Sequence, residues 1–167
     1  RGAASVWAHP SNVQQHREQC FSGLEAGLDT ENPFASSIAL KISRFFHETT
    51  SLVHIPLPIM QRCFGLLADS ADKSQVDLHG IDAWLNATAL HAPAHALEVA
   101  EMYLNLKRHT QSYLYDHGDN FTQLLTRLFA QAEEQEESDR GAMLQRVVAV
   151  QDTLMTLGMH GIDDWLK

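Results

Sequence analysis

Four of the ten histidines stand where their spacing could build chemistry. His91 and His95 are four apart, which on one continuous helix places two imidazoles on the same face at zinc-binding spacing. The Glu that follows the first His in the zinc-protease motif is missing, because position 92 is Ala. Pro93 also intervenes, and a proline at the first helical position puts His91 ahead of the helix. His79 and His160 occupy equivalent places in a repeated peptide. They would act as paired ligands, or as an acid and a base, only if the two copies converged, and separate repeats ordinarily hold equivalent residues apart. The residues therefore point to no catalytic group, no cofactor and no metal. A metal-binding or metal-dependent site built from His79, His91, His95 and His160 remains the alternative.

The repeat is the most specific feature of the chain. Leu78 to Asn86 and Met159 to Lys167 agree at six of nine positions, 81 residues apart, through His-Gly-Ile-Asp-x-Trp-Leu. In each copy the glycine, Gly80 or Gly161, supplies a turn of unusual dihedral angle. Ile81 and Trp84, and likewise Ile162 and Trp165, then lie three apart on one face of a short helix, followed by Leu85 and Leu166. The expected role is a packing device, an amphipathic helix start that closes a helical hairpin. A weaker parallel, Ala39-Leu40-Lys41-Ile42 with Ala96-Leu97-Glu98-Val99, has a spacing of 57, so the two units are unequal in length.

Other reaction classes lack their residues. No Gly-rich run ends in Gly-Lys-Ser/Thr, no Gly-x-Ser-x-Gly elbow occurs, and the Arg-x4-6-His motif of small helical ribonucleases of the HEPN type is absent. Glu133, Glu134, Glu136 and Glu137 mark a helix end, without the Glu-x-x-His that a di-iron bundle requires. Tyr103, Tyr113 and Tyr115 have few basic neighbours and suit core or partner contacts better than stacking on bases.

Composition sets the setting for these residues. The 167-residue chain is 44% apolar and 20% charged, enough for a packed core and too apolar for disorder. Its net charge of −9 opposes phosphate backbones, and the 12 Lys and Arg form no patch larger than Lys107-Arg108. No nucleic acid and no membrane are expected as partners, since no apolar run is long enough to span a bilayer and no signal peptide is visible. Cys20 and Cys63 lie in apolar helical contexts that suit buried thiols, and a cytoplasmic setting is expected. The two Asn-x-Thr sequences at Asn86 and Asn120 fall on helices. A start without Met and an end at Trp165-Leu166-Lys167 suggest a segment of a longer protein.

The elements that must position these residues are helical. Period-two runs are nearly absent, with Ser51 to Ile55 the one short candidate strand. The pattern predicts a helix from about Asn12 to Ala26 capped by Ser11, and a second from Asn32-Pro33 with Phe34, Ile38, Ile42, Phe45 and Phe46 on its apolar face. A third follows over about Ile59 to Ser70 with Met60, Cys63, Phe64 and Leu67 inward, then a loop over Asp69 to Asp77. A short helix from Ile81 to Leu90 and a long one from Pro93 come next. A turn at His117-Gly118-Asp119 precedes a helix capped by Asn120 and Gln123, with Phe121, Leu124, Leu125, Leu128, Phe129 and Ala132 in an unbroken stripe. The last helix carries Leu144, Val147, Val148, Gln151, Leu154 and Met155 and stops at Gly158.

From Pro93 onward, an Ala-Leu-Glu-Val-Ala-Glu helix, two amphipathic helices and the closing Gly-Ile-Asp-Asp-Trp-Leu resemble the HEAT- or TPR-like helical tails of large bacterial signalling and defence NTPases. The TPR consensus itself is not met. The resemblance covers residues 93 to 167 and implies a module that senses a partner or holds an assembly together. The expectation is an all-α chain of about seven to eight helices. They form antiparallel hairpins stacked as a short solenoid or irregular bundle, in two unequal units at about 12–90 and 93–167. Its expected role is non-catalytic, binding a protein partner or other domains of the parent chain, with an oligomerisation domain as a further alternative.

Overall fold

The computed structural model describes residues 14–44, 46, 55–70, 76, 78–110 and 118–159. Among them the chain is all-helical, with seven helices and no strand: α1 Gln14–Gly27, α2 Ala35–Ser43, α3 Leu57–Ala68, α4 Ile81–Ala89, α5 Pro93–Thr110, α6 Gly118–Glu133 and α7 Glu137–Thr156. Most of the candidate strand, Tyr113, Tyr115, His117 and the second copy of the repeat from His160 onward lie outside the described residues, as do Ser11 and Asn12. Backbone packing divides the chain into two compact units, Arg1–Trp84 and Leu85–Lys167, with the division inside α4.

In the first unit α2 packs on α3, and α1 packs more lightly on α3. Ile42, Met60, Cys63, Phe64 and Leu67 are buried, as the helical periodicity of α2 and α3 predicts, together with Ala39 and Ile59, while Ile38, also expected inward, is half-buried. The start of α2 differs from expectation. Asn32 keeps the capping bond that the sequence suggests, since its Oδ1 accepts the Phe34 N–H at 3.0 Å, and its Nδ2 also donates to the Gly27 carbonyl at 3.0 Å. The side chain thus ties the turn after α1 to the start of α2, while the regular helix begins only at Ala35. Phe34, expected inward, is 67% exposed because it precedes the helical register. The helix also ends at Ser43, so Phe46 enters the core from beyond it. Proline is tolerated in a first turn, where its missing N–H would be unpaired anyway, so α3 starts at Leu57, just ahead of Pro58.

In the second unit α5, α6 and α7 each pack against the other two. Arg146 pairs with Glu101, and Arg108 donates to Thr153 Oγ1 at 2.8 Å. Seven residues along α5 therefore match seven along α7 in the same sense, so these two helices run in the same direction. α6 packs against both, joined to α7 by residues 134–136 alone. Phe121, Leu124, Leu125, Leu128 and Ala132 are buried, and Phe121 stacks on Tyr103 at 6.2 Å. The expected cap of α6 is overturned: the helix starts at Gly118, so Asn120 and Gln123 already lie within it, and Gln123 Oε1 instead accepts from Asn86. The end of α7 meets expectation. Gly158 adopts φ 93, the Gly158 N–H bonds the Met155 carbonyl at 3.1 Å, and the Met159 N–H bonds Leu154 at 3.1 Å, which closes a left-handed Schellman cap.

Candidate functional site

The first copy of the repeated peptide starts α4. Gly80 takes φ 82, a conformation that costs a side-chain-bearing residue energy, and turns the chain so that the Ile81 N–H reaches Leu78 O at 3.1 Å and the Trp84 N–H reaches Gly80 O at 3.0 Å. Ile81, Trp84 and Leu85 are then buried to 1%, 0% and 0% exposure. The Trp84 ring meets Phe46 edge-on, with centroids 5.5 Å apart, and Phe46 meets Phe64 at 6.3 Å. Edge-on contact suits the ring quadrupoles. In this copy the motif delivers an aromatic anchor to the core of the first unit, and His79, on the turn, is exposed. The second copy, His160, Gly161, Ile162, Trp165 and Leu166, lies outside the described residues.

His91 sits in the turn before α5, where its N–H bonds the Thr88 carbonyl at 3.0 Å, and its side chain is exposed. His95 is inside α5 and half-buried. The four-residue spacing therefore crosses a helix boundary, and Pro93 is the cause. Burial lowers the His95 pKa from its ordinary value, while Glu98, three residues on, pulls the other way. The described residues contain no group of three or more His, Cys, Asp or Glu side chains placed to hold a metal ion.

Cys63 is fully buried, with its Sγ 3.7 Å from the Ala39 carbonyl, and burial pushes the thiol up to about 12. Such a thiol is inert as a nucleophile. Cys20 is half-buried, less than its apolar context predicts. A surface cleft of about 330 Å³ lies beside the C-terminal ends of α1 and α3, lined by Leu28, Thr30, Leu66, Asp29, Arg62 and Asp69. Arg62 is held at its edge by a bond to the Glu25 carbonyl at 3.2 Å.

Sequence periodicity did not separate the two faces of α7. Val147, Val150 and Leu154 face the core of the second unit, whereas Val148 and Met155, counted with them on the apolar pattern, are 43% and 42% exposed. Seven residues apart, they share one side of the helix. Gly141, Gln145, Ala149, Asp152 and Thr156 are exposed around them, so the strip holds a single charge. The signal was present in the sequence: the apolar residues of α7 encircle the helix, whereas those of α6 gather on one side. Comparison of the chain with protein-family models, with curated proteins and with solved structures finds no match in any of the three.

Proposed function

We propose that this chain is a non-catalytic helical module that binds another protein, or other domains of a longer parent chain, through the outward side of α7. The observation that carries this reading is the pair Val148 and Met155, left in water on a helix that buries Val147, Val150 and Leu154 on its other side. Exposed apolar surface forgoes about 25 cal/mol per Å² of burial, which a partner would recover. Polar Gln145, Asp152 and Thr156 around the pair supply the wetter border common to interfaces. The resemblance of residues 93 to 167 to HEAT- or TPR-like tails supports the same role and extends it to a scaffold within a cytoplasmic, multidomain bacterial protein.

The test is site-specific photo-crosslinking in cells that make the protein, with the photoreactive residue at position 148 or 155 and a control at exposed Lys41. Discrete adducts at 148 and 155 that disappear when the other position of the pair is changed to Asp are expected. A ladder at Lys41 equal to that at 148, or no adduct at either position of α7, would sink the reading. An adduct of twice the chain mass would move it to an oligomerisation domain.

A further inference from the structure

The last carbonyls of α4 have no partner within the helix, and one of them is met by an arginine from α6. Arg127 Nη1 donates to the Asn86 carbonyl at 2.6 Å and also to Asn86 Oδ1, while Asn86 Nδ2 donates to Gln123 Oε1 at 2.9 Å. The positive group therefore closes the negative end of α4, which accounts for its position. It does not account for its charge balance. Both acceptors are neutral oxygens, and Arg127, half-buried as a residue, forms no ion pair with any described residue, in a chain that carries 21 Asp and Glu against 12 Lys and Arg. Arg146 shows the contrast, with two bonds to the Glu101 carboxylate.

Nη1 is occupied, so the orientation of the planar group is set, while Nη2 and Nε donate to no described acceptor. That free edge is the side-on fork that a carboxylate fits with two parallel bonds. Leu90, four residues beyond Asn86, is 59% exposed, and Gln123 is exposed as well. We propose that Arg127 is a preoriented anchor for one carboxylate of a protein partner, an Asp or Glu side chain flanked by an aliphatic residue that lies on Leu90. A single acid is favoured over a polyanion because one guanidinium cannot offset the field of a chain of net charge −9 along a phosphate backbone. The inference rests on the protein-binding role proposed above but uses a different place on the second unit.

The experiment follows the arginine Nε–Hε resonances of the full chain during titration with acetyl-Glu-Leu-amide, acetyl-Gln-Leu-amide and inorganic phosphate. The expected result is a saturable shift of the Arg127 signal with the Glu peptide and at least fivefold weaker binding of the Gln peptide, a difference of about 1 kcal/mol. Arg62 and Arg146 should not follow it. Arg127→Lys keeps a donor for Asn86 but loses the fork; it should melt like the parent and bind the Glu peptide about tenfold less tightly. Equal shifts with both peptides, tighter binding of phosphate, or no saturable shift at Arg127 would overturn the proposal. Because the readout is local to Arg127, its failure is distinct from a failure of cross-linking at Val148.

Discussion

Glu101 and Arg146 are joined by two hydrogen bonds of 2.9 and 2.7 Å between helices that run side by side in one direction. The carboxylate and guanidinium are 37% and 43% exposed, so water screens them. The bidentate geometry also raises the Arg146 pKa, chiefly through the hydrogen bond to Glu101. A double-mutant cycle with Glu101→Gln and Arg146→Gln should return a coupling of about 0.5 kcal/mol, and 1 M salt should erase most of it. A coupling above about 2 kcal/mol would contradict the exposed placement.

The glycines divide by dihedral angle. Gly80 and Gly158 sit at φ 82 and φ 93, where a Cβ clashes with the following carbonyl, so Gly80→Ala and Gly158→Ala should each cost about 1–2 kcal/mol in urea unfolding. Gly141 lies within α7 with no atom within 4 Å of an added Cβ. Gly141→Ala should therefore stabilise by about 0.5–1 kcal/mol. The three variants together separate backbone strain from packing.

Cys63 and Cys20 should react at different rates. A disulfide reagent should modify half-buried Cys20 in the native chain and reach Cys63 only on unfolding, giving one fast thiol and one slow one. The same burial sets a pH dependence. The folded thiol titrates at about 12 against an ordinary value of 9.0, so the fold keeps its proton where the unfolded chain loses it. This contribution is complete below pH 9 and is lost as pH rises toward 12; Cys63→Ala should remove that slope from a stability profile.

His95 acts in the opposite direction. Its pKa is lowered, mainly by burial, so the neutral imidazole is the folded form. Its contribution is complete above the ordinary value of 6.5 and is lost as pH falls through the lowered folded value. Melting followed by circular dichroism from pH 7.5 to 4.5 should show a shallower acid loss in His95→Gln. An unchanged slope would assign the loss to other groups.

The all-helical class was legible because apolar spacing near 3.6 recurs through Met60 to Leu67 and Phe121 to Ala132, and every one of those inward positions except Phe129 is buried. Boundaries were less legible where a polar side chain had two uses. Asn32 and Asn120 both looked like caps; Asn32 does accept the N–H two residues on but the regular helix starts later, at Ala35, and α6 begins two residues before Asn120. The end of α7 at Gly158 was visible and the split of its two sides was not, because Val147 and Val148 are adjacent and alike, and only the neighbouring helices decide which of them is covered. Arg127 illustrates a further limit. Its spacing to Asn86 has no local pattern, since the two meet across 41 residues of chain.

The parallel course of α5 and α7 bears on how the second unit comes together. Each bond across their seam links residues 45 apart, whereas α6 and α7 are neighbours through a three-residue connection. Loop closure costs more for the longer span, so contacts between α6 and α7 carry a smaller entropic cost than those across the α5 and α7 seam. The seam held by Glu101, Arg108, Arg146 and Thr153 therefore joins the parts of the second unit that are farthest apart along the chain.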